Sequence, residues 1–271
     1  MHPVPFIAVP EKHGREKTPQ FFLRELPDII PMRQTEIITG CSSYYNRKWI
    51  GIFYPDDLSA KKWFAYYCEH FDTYELNATF YKFPSAKSLH AWYEKSPDRF
   101  IFSVKAPRLI THNKKFDGCA REIGEFYAAC LDGLKDKLGY VLFQLPPSFH
   151  FSPERLQRII NQLDSDIQNV VEFRHESWWN RDVYEAFIEH NLIFCSVDHP
   201  TLPADIIETA ATGYIRLHGN PTMFYSEYSL EALNALYAAI KQTEHFRKAM
   251  VFFNNTADTG GIINALAMSN L

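Results

Sequence analysis

Short runs of mainly apolar residues recur eight times along the chain, and polar or turn-forming residues flank each run. Most of these runs are apolar almost throughout, which is typical of strands buried on both faces in a parallel sheet. The eight predicted strands are IITGC (37–41), TYELN (73–77), FIFSVK (100–105), YVLFQ (140–144), NVVEFR (169–174), LIFCSV (192–197), GYIRLH (213–218) and AMVFFN (249–254).

Helical patterns separate the predicted strands. The spacing of apolar residues predicts helices over 57–71, 85–96 and 152–163, and Ser85 and Ser152 are suited to cap the last two. Further helices are predicted near 118–134, 180–190, 228–244 and 259–270, whereas the connection after the sixth strand is short and poorly helical.

Eight strands that alternate with helices predict an α/β fold, a single closed (β/α)8 TIM barrel over residues 36–271. A doubly wound open sheet is the alternative. The first turn, GCSSYYN, lacks the glycine pattern of a dinucleotide site and of a phosphate-binding loop. Residues 1–35 are rich in proline and have no sustained periodicity, so they predict an irregular extension. Removal of residues 1–31 should leave the barrel folded.

Composition narrows the class of protein. The chain has 271 residues, 46% of them hydrophobic, which is enough for a large core. A formal net charge of -4 gives no overall attraction to nucleic acid or membranes, so a polyanion would need a local basic patch. No stretch reaches the ~18 apolar residues of a membrane span. Five scattered cysteines without a C-x-x-C pair indicate reduced thiols, and we predict a cytoplasmic location.

Polar residues stand at the end of every predicted strand. In a barrel, alternate side chains point inward, and catalytic groups gather at the C-terminal ends of the strands. This alternation predicts that the following side chains face the barrel interior: Ser42, Glu75, Asn77, Ser103, Lys105, Gln144, Glu172, Arg174, Ser196, Asp198, Arg216, His218 and Asn254. A barrel core is normally filled by bulky apolar side chains, so this ring predicts a site.

Two roles are assigned within this ring and beside it. The candidate catalytic residues are Glu75, Glu172, Asp198 and His218. The candidate anion-binding residues are Asn77, Lys105, Arg108, Arg174, Arg216 and Asn254, with Gly260 and Gly261 at the start of the last helix, where free backbone N–H groups would face a phosphate.

Two other interpretations of these residues stay open. The charges of the ring balance, and its charged side chains would also form a satisfied salt-bridge network. The acidic members are Glu75, Glu172 and Asp198, and the basic members are Lys105, Arg174 and Arg216. Histidines follow strands three to seven, at His112, His150, His175, His199 and His218. With the carboxylates they would suit a divalent metal, but no pair has a diagnostic spacing, so a metal is permitted and not favoured.

Several local motifs resemble the successive signatures of the YecE-like family, catalogued as a domain of unknown function. They are GCSSYYNRKWIGIFYP, YELNATFYKFPS, FSVKAPRLITH, LFQLPPSF, VEFRHESWW, VDHP, YIRLHG and FFNN, and they extend over about residues 37–270. Family members commonly show tryptophan and glycine after the first strand, where this chain has SSYYN. The resemblance implies a TIM barrel similar to the xylose isomerase and endonuclease IV group, and it supplies no reaction.

The sequence therefore predicts an enzyme that binds an anionic or phosphorylated ligand at the C-terminal face of the barrel. A nucleotide or a nucleic acid end is one form of that ligand, and a hydrolase or an isomerase is the predicted class of enzyme. The alternative is a non-catalytic binding or accessory protein that uses the same pocket. Neither the oligomeric state nor a cofactor is indicated by the sequence.

Overall fold

The computed structural model describes residues 35–271, and its eight strands form one closed parallel barrel in chain order. The barrel closes where the last strand pairs with the first, from Glu36 beside Lys248 to Cys41 beside Phe253. The predicted TIM barrel is confirmed. Its strands are β1 Glu36–Cys41, β2 Thr73–Leu76, β3 Ile101–Lys105, β4 Leu138–Gln144, β5 Asn169–Glu172, β6 Ile193–Asp198, β7 Thr212–Leu217 and β8 Lys248–Phe253.

Helices cover the barrel between the strands. The connection from β6 to β7 contains no helix in this described part of the chain, as its composition predicts. A π-helical turn, Leu109–Lys114, follows β3 and was not predicted. The helices are α1 Trp63–His70, α2 Ala78–Tyr81, α3 Ala86–Lys95, α4 Ala120–Leu134, α5 Pro153–Ile160, α6 Arg181–Glu189, α7 Leu230–Lys241 and α8 Gly260–Ser269.

Side-chain caps fix where α3, α5, α6 and α7 begin. Ser85 and Ser88 form a reciprocal capping box at the start of α3. The hydroxyl of Ser152 accepts from the N–H of Arg155, and Pro153 takes the first position of α5, where its missing N–H costs nothing. The predicted caps at Ser85 and Ser152 are therefore confirmed.

Two apolar clusters hold the fold together. The larger lies between the strands and the helices and includes the buried rings of Trp49, Phe102 and Trp178. The smaller fills the barrel interior and consists of Tyr140, Leu142, Val170, Ile193, Cys195, Val197, Tyr214, Met250 and Phe252. Because these side chains fill the interior, the lower barrel is a packed core and not a pore. Burial of each large apolar side chain stabilises the fold by roughly 1.5–3 kcal/mol.

The register of β6 corrects one part of the sequence prediction. Cys195 lies beside Tyr214 and Val197 lies beside Arg216, so these two side chains of β6 face the interior. The prediction that Ser196 and Asp198 face the barrel interior is wrong. Both instead line a cavity between the barrel wall and α7.

The missing helix after β6 gives the physical reason. A loop covers the outer side of this strand, and its backbone N–H groups need acceptors that a helix would not have needed. The hydroxyl of Ser196 accepts from the N–H of Ile207 at 2.9 Å, and Asp198 accepts from Asn220 Nδ2 at 3.0 Å. Ser196 therefore serves the covering loop, whereas Asp198 binds the side chain of a residue that follows β7.

Three other predictions concern the cysteines, membrane-spanning segments and the N-terminal extension. All five cysteines are free and buried. None of the helices within residues 35–271 is long and apolar enough to cross a membrane. The predicted irregular extension, apart from Thr35, lies outside the described residues.

Candidate functional site

Three charged side chains form a buried layer above the apolar barrel core. Glu75 extends from β2, Glu172 from β5 and Arg216 from β7, and each is at most 1% exposed. The guanidinium of Arg216 joins the two carboxylates: Nη2 and Nε donate to Glu75 at 2.6 and 2.9 Å, and Nη1 donates to Glu172. Arg216 therefore has both of its edges occupied by carboxylates.

Glu75 accepts two hydrogen bonds on each of its oxygens. Beside the two from Arg216, the hydroxyl of Tyr214 donates to Oε2 at 2.8 Å and Asn77 Nδ2 donates to Oε1 at 3.2 Å. Ser103 in turn contacts the Tyr214 hydroxyl at 2.6 Å. Burial of a carboxylate is tolerated when its lone pairs are satisfied in this way. The role of Glu75 is therefore to hold Arg216.

Glu172 is held by three donors. Arg174 Nε donates to Oε1, Arg216 Nη1 donates to Oε2, and His218 Nε2 lies 3.2 Å from Oε1. Burial, the largest influence, would raise the pKa of Glu172, but Arg174 and Arg216 together hold this pKa well below its usual range. Glu172 is therefore an anion at neutral pH, and a poor general base.

His218 is buried beside Glu172 and carries no charge at neutral pH. Its burial and the neighbouring Arg174 lower its pKa to about 3. The hydroxyl of Ser42 donates to Asn254 Oδ1 at 2.5 Å, and Asn254 Nδ2 lies 2.7 Å from His218 Nδ1. On the other side of the ring, Nε2 lies 3.2 Å from Glu172 Oε1 and 3.1 Å from Arg174 Nη2, so the neutral imidazole is placed between a carboxylate and a guanidinium.

Lys105 lies at the mouth of the barrel at the end of β3. Its ammonium group is 4.4 Å from the centre of the Phe80 ring. Burial and the neighbouring Arg216 lower its pKa to about 8. Among the described residues, no acceptor lies within hydrogen-bond distance of its ammonium group, although its backbone carbonyl accepts from Thr79.

The upper interior thus has an excess of positive charge. Lys105, Arg174 and Arg216 face only two carboxylates, since His218 is neutral and Asp198 points to the other side of β6. The side chain of Arg174 is 11% exposed, and within residues 35–271 its Nη1 contacts only Met223 Sδ, at 3.9 Å. The predicted charge balance is wrong, because it counted Asp198 within the site.

Several predicted site residues lie away from this cluster. Arg108 is exposed on the turn after β3. Gly260 and Gly261 are buried, and a Cβ would lie 3.2 Å from the backbone of Glu227 at the first and 2.9 Å from the carbonyl oxygen of Asn255 at the second. These distances show that the glycines permit close packing of α8. The N–H of Thr259 already donates to the carboxylate of Asp258.

The histidines after the strands do not converge. His150 and His175 stack on each other at 3.9 Å, and His112 packs against the edge of Phe80 at 4.9 Å. In the region from Thr35 to Leu271, no three His, Cys, Asp or Glu side chains are grouped so as to hold a metal ion.

Sequence reasoning missed two members of the site. Tyr214 stands two residues before Arg216 on β7, so the same alternation that placed Arg216 inside also places Tyr214 there. Phe80 lies on α2, directly after β2, and nothing in its local sequence separates it from the other aromatic residues of that loop. The first of these was therefore predictable, and the second was not.

Comparison with known proteins adds the family. The model of the family described as "Protein of unknown function DUF72" matches residues 38–271. The UPF0759 protein YunF of Bacillus subtilis (strain 168) is 32% identical over 139 residues, which are 49% of this chain and 49% of that protein. The match therefore spans about half the length of this curated relative.

Solved structures of the same family share the fold. A DUF72 family protein from Thermotoga maritima MSB8 superimposes with a TM-score of 0.78 at 28% identity, covering 87% of this chain and 98% of that one. Another from Enterococcus faecalis V583 has a TM-score of 0.74 at 20% identity and covers 86% of this chain and 94% of its own. Both agree with the TIM barrel described above.

Proposed function

The chain belongs to the DUF72 family of proteins of unknown function, and we propose that it is an enzyme that binds a small anionic ligand at the C-terminal face of its barrel. The excess positive charge around Lys105 and Arg174 is the observation that carries this proposal. The narrower YecE-like assignment, a cytoplasmic location and a hydrolase or isomerase reaction stay predictions.

The anion would be held by Lys105 and Arg174. Arg216 is unsuited to that task because its guanidinium is occupied by Glu75 and Glu172. One cation about 4 Å from an anion contributes roughly 4 kcal/mol at an effective dielectric constant of about 20, before the cost of desolvation. A carboxylate or phosphate group has the charge and the acceptors that the ammonium group of Lys105 and the Nη1 group of Arg174 lack.

The amide of Asn77 at the mouth would orient the rest of the ligand. The Nδ2 group of Asn77 donates to the backbone of Ser42 and to Glu75, so the orientation of this amide is fixed. Its Oδ1 atom is buried and has no hydrogen-bond partner within the described part of the chain. A buried acceptor without a partner is costly, and a ligand hydroxyl would satisfy it.

Titration calorimetry with inorganic phosphate and with glycerol 3-phosphate tests this proposal. Lys105→Met should weaken binding at least about tenfold, equivalent to about 1.4 kcal/mol. Lys87→Met, at an exposed position on α3, is the matched control and should bind as the unchanged chain does. Equal affinities for the two variants would contradict the proposal.

A binding protein without turnover is the second candidate function. One observation favours it: the carboxylates of Glu75 and Glu172 are both fully paired, and His218 is 0% exposed, so none of them faces solvent as a base. A screen of phosphate esters and carbonyl acids would separate the two candidates. Saturable binding with no product for any compound would favour the binding protein.

A further inference from the structure

Lys105 has the surroundings of a nucleophilic amine. It is half-buried at the end of β3, its ammonium group lies over the Phe80 ring, and none of the described residues offers it a hydrogen-bond acceptor. An ammonium group that is desolvated and lies beside other cations loses its proton more readily than one in water. A lysine in these surroundings is suited to attack a carbonyl group.

Charged groups face Lys105 from four elements of the barrel. Arg216 on β7 and Arg174 after β5 lower its pKa, whereas Glu172 and Glu75 raise it. His112 on the π-helical turn has a pKa of about 4, lowered by its burial and by Lys105 itself, so this imidazole is neutral at pH 7. Burial adds to the effect of the arginines, and the net pKa of Lys105 is about 8.

We infer that Lys105 forms an imine with a small carbonyl compound that carries a carboxylate or phosphate group. This inference rests on the proposed function, since Arg174 would hold the acidic group while the carbonyl carbon meets the amine. A 2-oxo acid and a phosphorylated ketone are the two forms of this substrate class. Phe80 would shield the amine from water on one side.

The step needs no oxidant or reductant. The lone pair of the neutral amine forms a C–N bond at the carbonyl carbon, and the π electrons of the C=O bond move to oxygen, which takes up a proton. The nitrogen loses a proton to water. The hydroxyl group of this adduct then takes up a proton and leaves as water while the nitrogen lone pair forms the C=N bond. The resulting iminium loses its N–H proton to water and gives the imine, so one water is released for each carbonyl consumed.

The fraction of each lysine that is neutral determines how strongly imine formation should favour Lys105 over the other lysines. An ordinary lysine has a pKa of about 10.4, so at pH 8 Lys105 has about 100 times more neutral amine than a surface lysine. The rate of imine formation should rise with pH and level off above about 8, because deprotonation is then complete.

Reductive trapping tests the inference on the full chain. Pyruvate and dihydroxyacetone phosphate serve as probes, sodium cyanoborohydride reduces the imine to a stable amine, and peptide mass spectrometry locates the adduct. We expect Lys105 to be modified at least tenfold faster than any other lysine, as about 100 times more neutral amine allows. Acetone, which has no acidic group, should modify it more slowly than pyruvate does.

Lys105→Arg separates this inference from anion binding. Arginine keeps the positive charge and forms no stable imine, so this variant should still bind phosphate but lose the adduct. Lys87→Arg should retain both. Adducts spread evenly over surface lysines, with no preference for Lys105, would overturn the imine while leaving phosphate binding as the test of the proposed function. A Lys105 adduct in a chain that does not bind phosphate would overturn the anion site instead.

Discussion

Replacement of Glu172 by glutamine should destabilise the barrel strongly. The side chain is 0% exposed and lies against the guanidinium groups of Arg174 and Arg216. Glutamine has nearly the same volume, so packing is preserved, but it removes one of the two negative charges that compensate the buried cations. Its amide N–H groups would also face donors at one of the two former oxygen positions.

The magnitude follows from the burial of the cluster. Removal of one partner from a buried ion pair leaves an uncompensated charge and typically costs about 3–5 kcal/mol. For a domain of this size, each kcal/mol lowers Tm by roughly 2–4 °C. We therefore expect Glu172→Gln to lower Tm by about 6–20 °C, as the product of these two ranges.

Urea unfolding followed by fluorescence and circular dichroism measures this loss, and agreement of the two probes checks that unfolding is two-state. Glu185→Gln is the matched control. Glu185 pairs with Arg181 on α6, and the two side chains are 58% and 87% exposed, so the control should change stability little. If Glu172→Gln were no less stable than the control, the argument that the barrel layer is desolvated and mutually compensated would be wrong.

Two further predictions concern pH and packing. Below a pH of about 6.5, His218 is protonated in the unfolded chain, but in the folded chain it stays neutral until about pH 3. As the pH is lowered between these values, His218 should therefore reduce the free energy of unfolding by about 1.4 kcal/mol per pH unit. His218→Gln should remove that share of the slope, measured by urea unfolding at several pH values. At Gly133 on α4 a Cβ would lie 2.5 Å from the Cβ of Leu89, so Gly133→Ala should cost about 1–3 kcal/mol. Gly124→Ala, on the same helix with nothing within 4 Å, should gain up to about 1 kcal/mol, and thermal melting compares the two.

The strands and their order were predictable because a parallel barrel gives a regular alternation of apolar strands and amphipathic helices in the sequence. Each strand is buried on both faces, so it is a short apolar run, and each except β6 is followed by a helix with its own period. The alternation of side chains, combined with the polar residues at the strand ends, predicts that Glu75, Glu172 and Arg216 lie inside the barrel, and the structure agrees.

The pairing of these residues was not predictable. Arg216 and Glu75 are 141 residues apart in the chain, and the contact between them depends on barrel closure and on the relative height of β2 and β7. The sequence also does not show that Arg216 is fully occupied by the two carboxylates. For this reason it was assigned to the anion as readily as Lys105 was.

The error at Ser196 and Asp198 has a different origin. The assumption that polar residues on a strand mark its inner face holds where helices cover the outer face. On β6 the outer face meets a loop. Ser196 accepts from a backbone N–H of that loop, and Asp198 accepts from Asn220, which follows β7. The alternation itself carries no label for inside and outside when both sets are largely buried, so only the register with β7 decides it.

The buried carboxylates determine which groups remain for chemistry. Glu75 holds Arg216, and Glu172 holds Arg174 and His218, so neither carboxylate needs to reorganise when a ligand arrives. Cations fixed in this way stabilise an anion more than mobile ones do, because their orientation cost is already met by folding. The same fixed cations lower the pKa of Lys105. One arrangement thus accounts both for an anion site and for a reactive amine beside it, and it assigns the carboxylates to positioning instead of proton transfer.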